Sequence, residues 1–265
     1  MITPSILVLD SGLGGLSVMR ALRENLPAAP LLYVADTAAF PYGKRSAEEL
    51  CARASAVITQ MLHAHEIALV VVACNTLSTL CLSELRALHA VPFVGTVPAI
   101  KVAAQQSRST RFTLLATPNT ADSPYSNDLI ARFAQGCTVD RVGAPHLAAL
   151  AETFLLDGTL DTELLARDIA PCFHDDARGK TDTLVLGCTH YPFLAEAIHA
   201  ASPWPVTLID PAFAIAQQAG RLWTSDMHSD APVHHAFVTA AHDVARYAPV
   251  FECFGFASTF ALPAL

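Results

Sequence analysis

Two cysteines stand at the ends of apolar segments, directly before polar residues, where a thiol can take part in chemistry. Cys74 lies in VVVACNTLS (70–78), and Cys188 lies 114 residues later in LVLGCTHYP (184–192). A thiol at the start of a helix ionises more readily, because free N–H groups and the helix dipole favour the thiolate. Each cysteine alone is more typical of a buried structural thiol. As a pair, they indicate a site in which one thiolate removes a proton from carbon and the opposite thiol returns one.

The segment DSGLGGLS (10–17) offers groups that could bind a small ligand. Its three glycines would let the backbone approach an anion at the start of a helix. Ser17 occupies the place of the third glycine in the dinucleotide-binding fingerprint, and a phosphate fits poorly next to Asp10. We therefore expect a small carboxylate or ammonium ligand, with Asp10 as the partner of an amine or as a proton relay. The alternative is a tight strand-to-helix turn capped by the aspartate.

Two more loops carry hydroxyl groups at predicted strand ends. In PYGKR (41–45) a proline and a glycine fix a turn that exposes the Tyr42 hydroxyl. ATPNT (116–120) offers the hydroxyls of Thr117 and Thr120. The alternatives are an ordinary loop for the first segment and a helix start for the second, since threonine commonly begins helices.

His190 follows Cys188 by two residues and is interpreted as its acid–base partner, because imidazole titrates near neutrality. A zinc site would need a second Cys/His pair at a suitable spacing, and the sequence has none. Pyridoxal phosphate would need a Schiff-base lysine, and none of the three lysines stands at a strand end in a motif. We therefore expect neither a metal nor a cofactor. The histidines of HSDAPVHHAF (228–237) predict a polar surface loop.

The elements that must position these residues alternate along the chain, an apolar segment followed by an amphipathic one. This order predicts an α/β fold with a mostly parallel sheet covered by helices on both faces. Ser46 and Glu49 predict a capping box at the start of the second helix. The predicted strands span 5–10, 31–36, 68–74, 92–96, 111–117, 137–143, 182–188 and 206–210, and the predicted helices include 15–26, 46–65 and 76–89.

The order of apolar strand, cysteine, polar residues and helix occurs twice, around Cys74 and around Cys188. Open α/β sheets place their ligand crevices at the carboxyl ends of strands. The repetition therefore predicts two similar α/β units that face each other across a cleft, with one cysteine from each.

Composition excludes several classes of protein. Of the 265 residues, 52% are hydrophobic and 15% are charged, which predicts a sizeable core. The net charge of −8 argues against nucleic-acid binding. The N-terminus reads as an opening strand rather than a signal peptide, and no apolar run is long enough to span a membrane. The seven scattered cysteines indicate reduced thiols, so we expect a cytoplasmic protein.

DSGLGGLSV, AD followed by PYGKR, ACNTLS and GCTHYP, in this order, resemble the motifs of the glutamate racemase family, which belongs to the aspartate/glutamate racemase superfamily. The resemblance runs from about residue 5 to about residue 220. It implies a cofactor-independent enzyme with two pseudo-symmetric α/β domains and the active site in the cleft between them. With that arrangement, the first domain contains 1–97 and 208–265, and the second contains 98–207.

The resemblance also implies a role for each residue at a matching position. Two departures from the family pattern affect this transfer: Leu147–Ala151 replaces a Val-Pro-Leu-Val run before Glu152, and Ala116 replaces a glycine before Thr117. The implied catalytic residues are the bases Cys74 and Cys188, assisted by Asp10, His190 and Glu152. The implied substrate-binding residues are Asp10, Ser11, Pro41, Tyr42, Gly43, Asn75, Thr76, Thr117, Thr120 and Thr189, of which Pro41, Tyr42 and Gly43 would lie near the γ-carboxylate.

The function implied is the interconversion of L- and D-glutamate, which supplies D-glutamate for bacterial peptidoglycan. The alternatives are an aspartate racemase or another member of the superfamily, such as a decarboxylase, which would need only one of the cysteines. An amino-acid-binding module would explain a cleft but not the paired thiols. The partner expected is the small-molecule substrate, with no nucleic acid and no membrane. Members of the family commonly form homodimers, although the mode of dimerisation varies among them.

Overall fold

The computed structural model of the chain describes residues 4–223 and 232–263. Its strands are β1 (Ser5–Asp10), β2 (Leu31–Ala35), β3 (Ile67–Val72), β4 (Phe93–Gly95), β5 (Arg111–Ala116), β6 (Thr138–Gly143), β7 (Asp175–Asp176), β8 (Gly179–Lys180), β9 (Thr183–Gly187), β10 (Thr207–Ile209), β11 (His235–Val238) and β12 (Ser258–Ala261). All eight predicted strands are confirmed, with ends that differ by at most two residues.

The helices connect these strands. They are α1 (Leu16–Asn25), α2 (Ala47–Ala64), α3 (Asn75–Leu88), α4 (Ile100–Gln106), α5 (Pro118–Ala121), α6 (Pro124–Phe133), α7 (Leu147–Asp157), α8 (Thr162–Ile169), α9 (Ala195–Ala201), α10 (Ala212–Leu222) and α11 (Val244–Cys253). At the start of α2, the Ser46 hydroxyl accepts a hydrogen bond from the Glu49 N–H at 3.2 Å, so the predicted cap is present. The Glu49 carboxylate pairs instead with Arg45.

The chain folds into two compact units, each with its own sheet. The first unit contains Met1–Thr96 and Ala212–Leu265. Its sheet has the strand order β12-β11-β2-β1-β3-β4, and every neighbouring pair is parallel. Strands β1 and β2 are fully buried, as parallel strands covered on both faces must be.

The second unit contains Val97–Pro211. Its main sheet has the order β10-β9-β5-β6, again parallel throughout, and β7 and β8 form a separate antiparallel hairpin. The predicted α/β fold with mostly parallel sheets is therefore confirmed. In both sheets the strand ends that carry the predicted site residues are next to one another, because parallel strands all end at the same edge.

The prediction of a surface loop at 228–237 is wrong where the structure can test it. Residues 228–231 lie outside the described residues, whereas 235–238 form strand β11 inside the sheet. His234 is buried, and its Nδ1 accepts a hydrogen bond from the Leu31 N–H at 3.1 Å. Burial lowers the pKa of His234 to about 4, so this side chain acts as a neutral core residue.

The expectation of reduced thiols also differs from the structure, which pairs Cys51 of α2 with Cys81 of α3 in a disulfide. Both helices pack on the same side of the first sheet, and the two Cα atoms are 5.3 Å apart. Sequence spacing gave no sign of this pair, because its two members are 30 residues apart on different helices. The remaining cysteines are free: Cys74, Cys137, Cys172, Cys188 and Cys253.

Among the described helices, none has both the length and the apolar character that crossing a membrane requires.

Candidate active site

Cys74 occupies the N-cap position of α3, directly after the buried strand β3, as the sequence predicted. It is 6% exposed. The strand end behind it is fixed by hydrogen bonds: Ser78 Oγ and Thr96 Oγ1 both donate to the Val72 carbonyl, at 3.1 and 2.8 Å. The Thr96 N–H donates in turn to Ser78 Oγ at 2.9 Å. These bonds tie β3, the first turn of α3 and the segment after β4 together, which holds the thiol in place.

Asn75 and Thr76, the first two residues of α3, are both buried. Within residues 4–223 and 232–263, neither the amide nitrogen nor the amide oxygen of Asn75 has a hydrogen-bonding partner. A buried amide without partners costs about 1–3 kcal/mol, and folded proteins rarely leave one unless a ligand or water completes it. Asn75 therefore marks a place where a polar ligand could bind next to Cys74.

Asp10 ends β1 and is fully buried. Its Oδ1 accepts a hydrogen bond from the Gly12 N–H at 2.8 Å, which builds a tight turn, and Ser11 is buried within it. Tyr33 supports the same turn by donating its hydroxyl to the Gly12 carbonyl at 2.7 Å. Gly15 is required here, because a Cβ at that position would lie 2.8 Å from the Tyr33 hydroxyl and 2.9 Å from the Asp10 Cβ. The aspartate thus shapes the loop between β1 and α1.

Tyr42 lies in the loop after β2, between the half-buried residues Pro41 and Gly43. Its side chain is buried, and its hydroxyl donates to Asp36 Oδ2 at 2.6 Å. Burial and the neighbouring Asp36 carboxylate raise the pKa of Tyr42 well above its usual value, with smaller contributions from Cys74 and Asp10. Tyr42 is therefore a neutral phenol whose electrostatic environment includes two of the predicted site residues.

Strand register explains why these predicted site residues lie near one another. β1 lies between β2 and β3 in the sheet, and Asp10 is opposite Ala35. On the other side, the Ala73 N–H donates to the Leu9 carbonyl at 2.8 Å, so the chain leaves β3 for Cys74 beside the end of β1. The first unit thus gathers one group of predicted site residues at the end of its sheet: Asp10, Ser11, Pro41, Tyr42, Gly43, Cys74, Asn75 and Thr76.

The second group forms around Cys188, which follows β9 and is 7% exposed. Its sulfur lies 3.8 Å from Nδ1 of His190, and Nε2 of His190 lies 2.8 Å from Oε2 of Glu152. Both His190 and Glu152 are buried, and Glu152 reaches the histidine from the middle of α7. A thiol, an imidazole and a carboxylate therefore form a buried chain of three groups.

The protonation of His190 is decided by these two neighbours. Burial lowers the pKa of His190. The hydrogen bonds to Cys188 and Glu152 and the charges of both groups raise it by a larger amount, so the pKa lies well above its usual value. The imidazole is therefore protonated near neutral pH. A positive charge 3.8 Å from a sulfur is an arrangement that favours its thiolate.

One expectation about Cys188 is wrong: it does not begin an α-helix. Cys188 is followed by a turn and by a 3₁₀ segment, Tyr191–Leu194, before α9 begins at Ala195. Pro192 stands in the first turn of the 3₁₀ segment, where its missing N–H is tolerated. The dipole of a long helix is thus available to Cys74 but not to Cys188.

The threonines of the second unit lie at neighbouring strand ends. Thr117 follows β5, whose last residue Ala116 is opposite Gly187 of β9, so Thr117 and Cys188 end adjacent strands. Thr117 Oγ1 donates to Thr120 Oγ1 at 3.1 Å, and both residues are buried. Thr189 is buried beside Cys188. The second unit thus gathers the other group: Thr117, Thr120, Glu152, Cys188, Thr189 and His190.

Four supporting residues were not found by sequence reasoning. Asp36 follows β2 directly and contacts Tyr42, and its position after a strand was a usable signal. Tyr33, Ser78 and Thr96 act through side-chain hydrogen bonds to backbone groups, which no local pattern reveals.

Within the ranges that the structure describes, no group of three or more His, Cys, Asp and Glu side chains is arranged to hold a metal ion. The chemistry available to the two groups is acid–base chemistry by thiols, an imidazole and carboxylates.

Comparison with known proteins extends this picture. The sequence profile described as Asp/Glu/Hydantoin racemase matches residues 6–219. A glutamate racemase from Brucella anthropi is 45% identical over 231 residues, which cover 87% of this chain and 83% of that protein. One from Mesorhizobium japonicum is 46% identical over 215 residues, covering 81% and 82%. The crystal structure of Escherichia coli glutamate racemase with L-glutamate and the activator UDP-MurNAc-ala superimposes with a TM-score of 0.91 at 37% identity and covers 99% of both chains.

Proposed function

Because the chain belongs to the Asp/Glu/hydantoin racemase family, we propose that it interconverts L- and D-glutamate by a two-cysteine mechanism that needs no cofactor. Racemases are isomerases, and relatives at 45% and 46% identity are glutamate racemases. The crystallised Escherichia coli protein, which is similar over its whole length, was solved with L-glutamate. These similarities support glutamate as the substrate.

The observation that carries the mechanism is the presence of two buried thiols, each at the end of a parallel strand and each beside polar groups. In one direction, one cysteine acts as a thiolate and takes the α-proton, and the other gives its proton to the opposite face of the same carbon. The proton count balances within one turnover. The original state returns either by a turnover in the reverse direction or by exchange of protons between the two sulfurs and solvent. The mechanism requires both thiols to reach one α-carbon.

The surrounding residues have roles that follow from their chemistry. Asn75, whose buried amide has no partner among the described residues, would bind the substrate and complete its own hydrogen bonding. Protonated His190, held by Glu152, would stabilise negative charge on the side of Cys188. Thr76, Thr117, Thr120, Thr189 and Ser11 would supply further hydroxyl contacts, and Asp10 would assist Cys74.

Independence from pyridoxal phosphate is supported by two of the three lysines. The Lys101 ammonium lies 5.9 Å from the centre of the Phe133 ring, and that of Lys180 lies 4.2 Å from the Trp204 ring. Both ammonium groups are therefore engaged with aromatic rings.

The product D-glutamate would be used for bacterial peptidoglycan, and we propose that the enzyme works in the cytoplasm, where this precursor is needed. An aspartate racemase is the second candidate, because the matched family includes enzymes for both amino acids. A homodimer is the proposed assembly.

Incubation with L-glutamate in D2O tests the proposal. A racemase causes the circular dichroism signal of L-glutamate to decay to zero while deuterium appears at Cα, without added pyridoxal phosphate. Parallel incubation with L-aspartate decides the substrate. Binding of glutamate with neither signal changing would leave an amino-acid-binding protein and would overturn the proposed function.

A further inference from the structure

Asp36, which follows β2, is a fully buried carboxylate that the proposed mechanism does not use. Its two oxygens accept four hydrogen bonds. Oδ2 accepts from the Tyr42 hydroxyl and from Arg53 Nε, both at 2.6 Å. Oδ1 accepts from Arg53 Nη2 and from the Thr239 hydroxyl, both also at 2.6 Å. One aspartate thus connects α2, the residue that follows β11 and the loop that carries Tyr42.

The Arg53 side chain makes this burial tolerable. It approaches from α2 and contacts both carboxylate oxygens, the two-point geometry in which arginine binds carboxylates most strongly. The charge of Asp36 has left water completely and that of Arg53 in part, so the pair adds little net stability compared with apolar residues of the same size. Its value lies in fixing geometry, since the carboxylate has only one arrangement in which all four partners are satisfied.

The group whose geometry is fixed is Tyr42. Its proton is directed at Asp36, so the hydroxyl is not free to donate to a ligand, and its oxygen keeps only acceptor capacity. The same segment is held at its other end, because the Thr239 hydroxyl that donates to Asp36 also accepts from the Ala38 N–H at 3.0 Å. Tyr42 and the segment 37–45 are therefore held at several points before any substrate binds.

We propose that Asp36, together with Arg53, is a positioning residue that fixes Tyr42 and the segment 37–45 beside Cys74 in the geometry that binds the substrate. This inference rests on the proposed function. It assigns Asp36 to substrate binding rather than to proton transfer, because the donors to Asp36 are Tyr42, Arg53 and Thr239, and Tyr42 is the one among them that belongs to the predicted site.

Kinetics of variants test the assignment. Asp36→Asn keeps the shape of the side chain but loses the charge that Arg53 neutralises, and Arg53→Lys keeps the charge but loses the two-point contact. We expect each to raise KM for both glutamate enantiomers about tenfold, while kcat changes less than about threefold, which is the signature of lost uniform binding. Glu48→Gln is the matched control, since it makes the same carboxylate-to-amide change at an exposed position of α2. It should leave both constants unchanged.

A double-mutant cycle tests whether Asp36 acts through Tyr42. Tyr42→Phe removes the hydroxyl that Asp36 accepts, so the Asp36→Asn/Tyr42→Phe variant should have a KM within about twofold of Asp36→Asn alone. Multiplicative effects of the two substitutions on KM would show that Asp36 does not act through Tyr42. Unchanged KM in both Asp36→Asn and Arg53→Lys would overturn the proposal outright, and a fall in kcat alone would do the same.

Amide hydrogen exchange separates this inference from the proposed function. Amide exchange across 37–45 should be faster in Arg53→Lys than in wild type, and equal to wild type in Glu48→Gln, whatever the substrate proves to be. Unaltered exchange would overturn the positioning role even in an active racemase. A wild-type protein that racemises neither glutamate nor aspartate would instead overturn the proposed function. In that case, faster exchange in Arg53→Lys would still show that the ion pair holds the segment 37–45, but a role of this segment in substrate binding would be rejected.

Discussion

The two cysteine groups are built differently, although both sulfurs follow a buried parallel strand. Cys74 caps a helix of 14 residues, and its neighbours are neutral or acidic: Asn75, Tyr42 and Asp10. Cys188 lies before a turn and a 3₁₀ segment, and its neighbour is a protonated histidine paired with a carboxylate. The first sulfur belongs to the residue at the positive end of a helix dipole, and the second lies beside a formal positive charge.

Under the proposed mechanism, two thiols with the same task would be activated in different ways. A helix start and an imidazolium both favour a thiolate, but only the imidazolium can be removed by pH or by one substitution. The Cys188 side should therefore be the more sensitive to pH and to mutation of its neighbours. The Cys74 side should be sensitive to changes that affect substrate binding.

The largest expected effect is that of removing either sulfur. Cys74→Ser and Cys188→Ser should each lower the racemisation rate by at least about a hundredfold, because a serine hydroxyl is too weak an acid to replace a thiol in proton transfer. The rates are measured by circular dichroism, with Cys253→Ser, which changes an exposed thiol, as the control. A fully active variant at either position would show that one base is enough and would sink the two-cysteine mechanism.

The next largest effect is expected from breaking the His190–Glu152 pair beside Cys188. Glu152→Gln removes the carboxylate partner of His190 and should lower the racemisation rate about tenfold to a hundredfold, while the enzyme still binds glutamate. Breaking this buried pair should also lower the free energy of unfolding by about 3 kcal/mol near neutral pH. Glu163→Gln, an exposed change in the same unit, should alter neither quantity. Equal activity of both variants would mean that the carboxylate does not serve Cys188.

The same pair predicts a pH dependence of stability. The pKa of His190 is raised in the folded protein, so its protonation stabilises the fold fully below about pH 6.5, the value for an unfolded histidine. This contribution is lost as the pH rises through the raised pKa. In Glu152→Gln the pKa of His190 is raised less, so the loss should occur at lower pH. Urea unfolding from about pH 6 to about pH 9 measures the shift, and coincident curves for the two proteins would contradict it.

A smaller effect is expected at Asn75, which follows Cys74. Asn75→Leu replaces an unpartnered buried amide by an apolar group of similar shape, so the free energy of unfolding should stay within about 1 kcal/mol of wild type. KM for glutamate should rise about tenfold, because the substrate loses a hydrogen-bonding partner. Urea unfolding and steady-state kinetics give both values. Strong destabilisation with unchanged KM would assign Asn75 a purely structural role.

Much of this architecture could be predicted from sequence because the determining signals are local. Each strand of the two main sheets up to β10 is a short apolar run, and the positions of Cys74 and Cys188 after such runs follow directly. β11 and β12 were missed because HAFV and STFA are short and mix polar with apolar residues. The contact of Glu152 with His190 joins positions 38 residues apart, and its presence in this structure depends on how α7 packs.

The disulfide is the clearest case in which local sequence signals failed. It is also a further difference between the Cys74 side and the Cys188 side. Cys51 and Cys81 join α2 to α3, the helix that Cys74 caps, whereas the free thiols of the second unit include Cys188. Titration with a thiol reagent in denaturant, without reductant, should therefore count five thiols per chain, and seven after reduction. Seven thiols at the outset would restore the expectation of reduced cysteines.

Reduction should have the smallest effect on activity of all these changes. Cys74 is held by the hydrogen bonds that join Val72, Ser78 and Thr96, and none of these involves the disulfide. A Cys51→Ala/Cys81→Ala variant should thus racemise glutamate at the wild-type rate while unfolding at lower urea concentration, since the bridge closes a loop of 30 residues. A large loss of rate with unchanged stability would contradict this expectation. It would mean that Cys74 depends on the disulfide for its activity, as Cys188 is predicted to depend on the His190–Glu152 pair.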